Sequence, residues 1–157
     1  MKIKSKVTEI VHDDLVNLFS SSMYCGHTFF GCMYSSEDSE KVRKEGDCIE
    51  DIIARILLCR RSVEVVDSWA DDEDEFYGDL PHRWDADERM MVYTLTLADI
   101  KKGIEKCLNF SIDDNEPNSS WLAKCARDIS EDDGMNLDQE EAEAVMQVIV
   151  FSKLIYG

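Results

Sequence analysis

The sequence predicts a single α+β domain spanning residues 1–157, with a small antiparallel sheet and helices packed on one face. Apolar residues make up 44% of the chain, which is enough to form a hydrophobic core. Helical periodicity recurs along the sequence, with capping residues at several predicted helix starts. Two short segments rich in β-branched residues, "SVEVVDSW" and "RMMVYTLTL", are typical of strands.

The first part of the chain contains one predicted strand and two predicted helices. Lysines alternate with other residues in "KIKSKVTEIV", a pattern typical of a protected edge strand. Asp13 is suited to cap a helix that continues through Phe19 or beyond. The segment "CGHTFFGCMYSSEDSEKVRKEGD" has no sustained period and predicts a long loop. The clearest helix follows in "CIEDIIARILLC", where Asp47 and Glu50 form a capping-box pattern.

The second part is predicted to contain two strands and three helices. "SVEVVDSW" and "RMMVYTLTL" could pair as a hairpin, with an acidic loop between them. Thr96 and Asp99 form a capping box before a helix, and "NFSIDDNEPNSS" is a linker to a shorter helix over residues 121–129. Asp138 marks the start of the last element, which we expect to be a buried helix, with a strand from Val148 as the alternative.

The predicted core is formed by the apolar stripes of the helices and by alternate positions of the two strands. Ile52 and Ile56 recur at the spacing of one helix face. The full predicted set is Ile49, Ile52, Ile56, Val65, Val92, Leu95, Ile100, Ile104, Val145 and Ile149.

The charge balance is strongly acidic, with 34 Asp and Glu residues against 17 Lys and Arg residues and a formal net charge of −17. Nucleic acids and anionic membranes carry the same sign of charge, so we expect no direct binding to either and favour a basic partner. The first residues form no apolar signal segment, and no apolar run reaches the length of a membrane span. A cytoplasmic location is therefore expected.

The stretch "DSWADDEDEFYGD", residues 67–79, holds seven carboxylates and no basic residue. Because it lies between two predicted strands, we expect it to form a solvent-facing loop that contacts a positively charged partner. Aromatic residues in the loop could supply apolar anchors for that contact, although at least two of the four aromatic residues at positions 69, 76, 77 and 84 are expected to pack on the core. The predicted partner-binding residues are Asp67, Trp69, Asp71, Asp72, Glu73, Asp74, Glu75, Phe76, Tyr77 and Asp79, with Asp113, Asp114 and Glu116 as support.

The six cysteines are expected to be reduced, because the sequence indicates a reducing compartment. Cys59 and Cys107 lie in apolar helical patterns and are predicted to be small core residues.

Two other features leave open a metal-dependent or cysteine-dependent enzyme, the least favoured alternative. Cys25, His27 and Cys32 in "CGHTFFGC" are weak candidates for a zinc site, which would need a fourth ligand such as Cys48. Cys48 also lies at a predicted helix start, where backbone amides favour a reactive thiolate but neighbouring carboxylates oppose it. The acidic stretch lacks the ligand order of a calcium-binding EF-hand loop. We therefore expect no cofactor and no enzymatic activity.

Four segments together resemble small acidic proteins encoded by phages and mobile elements of gut bacteria, mostly of unassigned function. The segments are "HDDLVNLFSSSMY", "GDCIEDIIARILL", "YTLTLADIKKGIEK" and "VIVFSKLIYG". The resemblance spans most of the chain and includes no catalytic motif. It implies a bacterial host cell and a genetic context in which genes often counter host defence. Anti-restriction and anti-CRISPR proteins are similar in being small, acidic and cytosolic, and many of them imitate nucleic acid.

The leading hypothesis is therefore an inhibitor that blocks a nucleic-acid-binding surface of a basic host protein, such as a defence nuclease. Because B-DNA carries one charge per about 1.7 Å of axis, a charge of −17 corresponds to roughly 29 Å of duplex. A compact chain of this length spans roughly 40 Å, so its mean charge per unit length is lower than that of B-DNA by less than a factor of about two. The alternative is a non-catalytic accessory binding module whose acidity only confers solubility.

Overall fold

The protein has the predicted α+β architecture. The computed structural model describes residues 9–23, 32–113, 119–130 and 138–156. These ranges contain one four-stranded antiparallel sheet, with strands β1 (Cys32–Met33), β2 (Val63–Asp67), β3 (His82–Asp85) and β4 (Met90–Leu95). They also contain the helices α1 (His12–Met23), α2 (Ser36–Val42), α3 (Ile49–Leu58), α4 (Leu97–Asp113), α5 (Ser119–Ser130) and α6 (Gln139–Phe151).

The strand order in the sheet is β1-β2-β4-β3. β2 and β4 pair antiparallel, from Val63 opposite Leu95 to Asp67 opposite Met91, which confirms the predicted pairing of these two segments. They do not form a simple hairpin, because β3 lies between them in sequence and pairs with the other side of β4. β3 was not predicted, because its four residues, "HRWD", have no apolar alternation.

The helices cover one face of the sheet, where Val65, Tyr93 and Leu95 belong to the hydrophobic core. All predicted core residues are buried except Ile49, whose side chain is 51% exposed because it occupies the first position of α3. Val92 is buried, but it alternates with Met91 and Tyr93 and so lies on the opposite face of the sheet, together with Val66.

The C-terminal helix α6 is the central element of the core, and the prediction of a buried helix there is confirmed. Every residue from Ala144 to Phe151 is buried, so the helix is apolar nearly all round. Gly103 of α4 contacts it so closely that a Cβ atom at this position would lie 2.5 Å from Cγ1 of Ile149. Only glycine permits the two helices to cross at this distance.

Two predicted helix starts are shifted in the structure. Asp13 lies inside the first turn of α1 instead of capping it. The N-cap of α3 is Cys48 rather than Asp47, and the Cys48 backbone N–H donates a 3.0 Å hydrogen bond to Oδ2 of Asp51. Asp47 instead accepts a hydrogen bond from the guanidinium of Arg55. The capping box is therefore displaced by one residue, because several acidic residues in succession offer competing caps.

Two other predicted starts are confirmed. The Asp99 N–H donates to Oγ1 of Thr96 over 3.3 Å, and the Thr96 N–H donates to Oδ2 of Asp99 over 2.9 Å, as a capping box requires. At α6, Oδ1 of Asp138 accepts a 2.9 Å hydrogen bond from the Glu141 N–H.

Part of the segment predicted to be a long loop before α3 forms secondary structure, namely β1 and α2. α2 is stabilised by Ser35, whose Oγ accepts a 3.1 Å hydrogen bond from the Asp38 N–H, rather than by an apolar stripe. α4 also continues to Asp113, so the predicted linker begins later than expected. The predicted N-terminal strand lies almost entirely outside the described residues.

Candidate protein-contact surface

Two acidic segments lie at the same end of the sheet. β2 ends at Asp67, opposite Met91 at the start of β4, so the loop after β2 leaves the sheet where the β3–β4 turn is located. Glu75, at the far side of the acidic run, is still close enough to Asp67 to act on it electrostatically. We define the acidic end as these two segments, residues 71–75 and residues 85–88.

The loop segment of the acidic end presents its charge to solvent. Residues 71–74 are exposed, whereas Glu75 is half-buried. Asp72 Oδ1 accepts a 2.8 Å hydrogen bond from the Asp74 N–H, and Glu75 Oε2 accepts a 3.2 Å hydrogen bond from the Asp71 N–H. Two carboxylates thus shape the loop, and within the described part of the chain none of residues 71–75 forms an ion pair.

In the turn segment a carboxylate also shapes the backbone, although Asp85 additionally lies 3.9 Å from a guanidinium nitrogen of Arg83. Asp85 Oδ1 accepts 3.1 Å hydrogen bonds from the N–H groups of Asp87 and Glu88. The side chains of Asp87 and Glu88 are exposed. Arg89, at the end of the turn, is also exposed and reduces the local negative charge by one. The turn therefore adds exposed carboxylates at the end of the sheet where the loop begins, and it was not among the predicted contact residues.

Asp67 is buried, and the prediction that it contacts a partner is wrong. Its side chain shares the inner face of β2 with Val63 and Val65, and it is 0% exposed. Oδ1 accepts a 2.9 Å hydrogen bond from the Trp69 N–H, and Oδ2 accepts a 2.7 Å hydrogen bond from the Tyr156 hydroxyl. Burial raises the pKa of Asp67, while these hydrogen bonds oppose the shift. The residue fixes the base of the loop instead.

Tyr156 reaches Asp67 because a buried glutamine holds the C-terminal tail, which we define as residues 152–156. Ser152 adopts a left-handed conformation with φ of 66° and ends α6. The Gln147 Oε1 accepts 2.8 Å hydrogen bonds from the N–H groups of Ile155 and Tyr156. Its Nε2 donates to the Tyr156 carbonyl over 3.0 Å. A single polar residue in the otherwise apolar "VMQVIVF" was the sequence signal for this contact, and it was missed.

The four aromatic residues around the loop divide into two pairs. Tyr77 and Trp84 are half-buried and pack against the core, which confirms the expectation that at least two would anchor the segment. The Tyr77 N–H also donates a 3.2 Å hydrogen bond to the Tyr93 hydroxyl. Trp69 is 62% exposed and Phe76 is 45% exposed, so both offer apolar surface beside the carboxylates.

Each of the two exposed aromatic rings packs against a second ring. The Trp69 ring lies 6.0 Å from the Tyr156 ring, measured between centroids. The Phe76 ring stacks on His82 at a centroid distance of 4.0 Å. These contacts hold large apolar groups in defined positions at the surface, as interface anchors require.

The remaining predicted contact residues are only partly described. Asp79 is exposed and lines a cavity of about 340 Å³ between the loop, α4 and α6. Lys106, which lines the same cavity, donates a 2.6 Å hydrogen bond to the Ser152 carbonyl. The backbone of Asp113 ends α4, whereas its side chain and the whole of Asp114 and Glu116 lie outside the described residues.

The predicted zinc candidates are not assembled within the described residues. Cys25 and His27 lie outside these ranges, and Cys32 lies in β1 opposite Val65. Burial raises the pKa of the Cys32 thiol to about 12. The parts of the chain that the structure covers contain no group of three or more His, Cys, Asp or Glu residues placed to hold a metal ion.

Of the other described cysteines, two are exposed (Cys48 and Cys59) and two are buried (Cys107 and Cys125). Cys48 is exposed at the start of α3, and among the described residues no hydrogen bond joins it to a histidine. The nearby His12 instead places Nε2 at 2.8 Å from Oδ1 of Asp51. Cys107 is buried as predicted, but Cys59 is exposed because α3 ends at Leu58.

A second cavity, of about 260 Å³, lies between the start of α5, α6 and the C-terminal tail. We term it the Trp121 groove. Its lining includes Trp121, Glu140, Glu143, Gln147 and Tyr156. Tyr156 therefore contacts the groove on one side and Trp69 on the other.

No protein-family model, curated protein or solved structure matches this chain. In the portion of the chain that the structure covers, each helix is too short or too polar to cross a bilayer. Any functional assignment therefore depends on the chemistry of the surfaces described above.

Proposed function

We propose that the protein is an acidic inhibitor that occupies a nucleic-acid-binding surface of a basic host protein, such as a nuclease of a bacterial defence system. The observation that carries the proposal is the acidic end, where the loop after β2 and the β3–β4 turn, both with exposed carboxylates, leave the same end of the sheet. The net charge of −17 supports it further, because it favours association with a positively charged surface.

The geometry of the acidic end supports recognition by many charges acting together. A single exposed ion pair contributes only about 0–1 kcal/mol, so no individual carboxylate can account for a stable complex. Several carboxylates at one end of the sheet produce a combined field that accelerates association with a basic surface. The loop is held by the buried Asp67 and by Tyr77, so its charges are presented without loosening the core.

Exposed aromatic residues supply the other component of such an interface. Trp69 and Phe76 lie next to the carboxylates, and each is supported by a second ring. Tryptophan is enriched among residues that contribute most to binding energy, particularly when polar groups surround it. We therefore assign Trp69 as the principal apolar anchor of the proposed interface.

The proposal is tested by a variant in which Asp71, Asp72, Glu73, Asp74 and Glu75 are replaced by Asn or Gln. Asn and Gln keep a side-chain oxygen at positions 72 and 75, so the hydrogen bonds that shape the loop are retained. The parent protein is used to capture partners from bacterial lysate, and a captured basic nucleic-acid-binding protein is then purified. We expect the parent to inhibit DNA binding by the captured protein. The neutralised variant should associate with that protein at least about tenfold more slowly than the parent at low salt.

The matched control removes the same number of exposed carboxylates from another part of the chain, through substitution of Glu9, Asp13, Glu37, Glu40 and Glu45. We expect this control to retain most of the inhibition and of its salt dependence. If the two variants lose binding equally, only overall charge matters, and the acidic end is not the contact surface. If neither variant loses inhibition, the acidity confers solubility alone and the proposal is wrong.

A further inference from the structure

We propose that the Trp121 groove is a binding site for a guanidinium group, and that it receives an arginine side chain of the basic partner. The inference about the partner rests on the proposed function, but the site itself can be tested without any partner. The volume of about 260 Å³ lies below the range of about 300–1,000 Å³ that is typical of pockets for drug-sized ligands. The groove therefore suits a side chain better than a cofactor.

The chemistry of the lining favours a planar cation. Trp121 is 36% exposed and forms one wall, and tryptophan is the aromatic ring that attracts cations most strongly. Glu140 and Glu143 are three residues apart on α6, so both lie on the side of the helix that borders the groove. Arginine combines stacking on an aromatic ring with paired hydrogen bonds to a carboxylate, which lysine does not.

The groove is also preorganised. Its wall on the side of the C-terminal tail is fixed by Gln147, which accepts hydrogen bonds from the N–H groups of Ile155 and Tyr156 over 2.8 Å. The Tyr156 ring is further fixed by the hydrogen bond of its hydroxyl to Asp67. Binding a side chain there therefore requires little ordering of the protein, which favours affinity.

The groove adjoins Trp69, the proposed apolar anchor, through Tyr156. The Trp69 ring lies 6.0 Å from the Tyr156 ring, and Tyr156 itself lines the groove. A partner that packs against Trp69 therefore lies next to the groove and can insert an arginine into it in the same complex. Such an insertion gives the interface a specific contact in addition to its general attraction of charge.

The site is tested with small probes and protein labelled with 5-fluorotryptophan. The three tryptophan resonances in the ¹⁹F NMR spectrum are assigned by single substitution to phenylalanine, including Trp121→Phe. The probes are N-acetyl-arginine amide, its neutral analogue N-acetyl-citrulline amide, and N-acetyl-lysine amide. We expect the arginine probe to shift the Trp121 resonance saturably, with half-saturation on the order of millimolar, as a ligand of this size allows. The citrulline probe should cause little shift, and lysine should bind more weakly than arginine.

Substitution provides the matched comparison. The double variant Glu140→Gln with Glu143→Gln should bind the arginine probe roughly three- to tenfold more weakly, because two carboxylates lose their charge. The variant neutralised at residues 71–75 should bind it as the parent does. Unchanged resonances of Trp69 and Trp84 without the probe show that the double variant is folded.

Three results would overturn the assignment: an equal shift with citrulline, an equal shift with lysine, or a Trp121 resonance that does not respond. The two proposals fail separately. If the arginine probe binds but neutralisation of residues 71–75 leaves inhibition intact, the binding site in the groove is supported and the proposed function is refuted. If inhibition depends on residues 71–75 but the probe does not bind, only the groove is refuted.

Discussion

Asp67 and the carboxylates of residues 71–74 are only a few positions apart, but the structure uses them in opposite ways. Asp67 is fully buried and accepts hydrogen bonds from the Tyr156 hydroxyl and the Trp69 N–H. Residues 71–74 are exposed and form no ion pair with another described residue. The same kind of side chain thus fixes the base of the loop in one place and is available to a partner in the other.

The difference follows from backbone geometry rather than from residue type. Asp67 is still part of β2, where side chains alternate between faces, and its position belongs to the inner face. The chain leaves the sheet immediately afterwards, so residues 71–74 are under no such constraint. Burial of a carboxylate is tolerated only because donors surround it, whereas exposed carboxylates need no partner within the protein.

The largest expected effect concerns the core on which both regions depend. Replacing Ile56 with Ala removes three buried carbon atoms next to the sheet and leaves a cavity, so the free energy of unfolding should fall by about 2–5 kcal/mol. Urea denaturation monitored by circular dichroism measures this loss. Replacing Ile49, which is 51% exposed, should cost far less and serves as the control. Equal losses at the two positions would contradict the observed packing of α3.

The next prediction compares the two kinds of carboxylate directly. Asp67→Ala leaves the Tyr156 hydroxyl and the Trp69 N–H without their acceptor, so we expect a loss of about 2–4 kcal/mol in the free energy of unfolding. Asp74→Ala should change it by no more than about 0.5 kcal/mol, because that side chain is exposed. Equal tolerance of both substitutions in urea denaturation would show that Asp67 does not anchor the loop.

The pH dependence of the free energy of unfolding should change when Asp67 is replaced. Burial raises the pKa of Asp67 above its ordinary value of 3.8, so the native state binds this proton more tightly than the unfolded state does. The resulting stabilisation is complete below 3.8 and is lost as the pH rises through the pKa of the folded state. The Asp67→Asn variant cannot titrate at this position.

The free energy of unfolding of the parent, relative to Asp67→Asn, should therefore increase as the pH is lowered from neutral, through the folded-state pKa of Asp67, towards 3.8. Urea denaturation of both proteins at several pH values measures this difference. The Asp74→Asn variant is the control and should track the parent. A difference that is constant or that decreases toward low pH would show that the burial of Asp67 does not govern its protonation.

The same contrast explains which parts of the structure could be predicted from the sequence. The helices α3, α4 and α6 have apolar periodicity and capping residues, and the pairing of β2 with β4 follows from their β-branched residues. β1 has only two residues, and α2 and β3 are short and polar, so local patterns do not distinguish these elements from loops. Their existence depends on tertiary contacts, such as the pairing of β3 along β4.

The candidate surface was predicted only in part for a related reason. Sequence identifies a concentration of charge at residues 71–75, but the location of residues 85–88 at the same end of the sheet depends on the strand order. The burial of Asp67, by contrast, could have been predicted, because the predicted strand "SVEVVDSW" includes it and alternation places it on the same face as Val63 and Val65. The Trp121 groove combines residues from α5, α6 and the tail, which no local pattern brings together.

The smallest expected effect is on the stability of the variant neutralised at residues 71–75. Removing five like charges from an exposed loop reduces electrostatic self-repulsion, so the free energy of unfolding should rise by a few tenths of a kcal/mol, up to about 1 kcal/mol, at low salt. Because salt screens repulsion between exposed charges, the gain should shrink as the ionic strength approaches about 1 M. Urea denaturation at low and high sodium chloride measures both quantities. A loss of stability at low salt would mean that these carboxylates form stabilising contacts within the protein, and residues 71–75 would then share the structural role of Asp67.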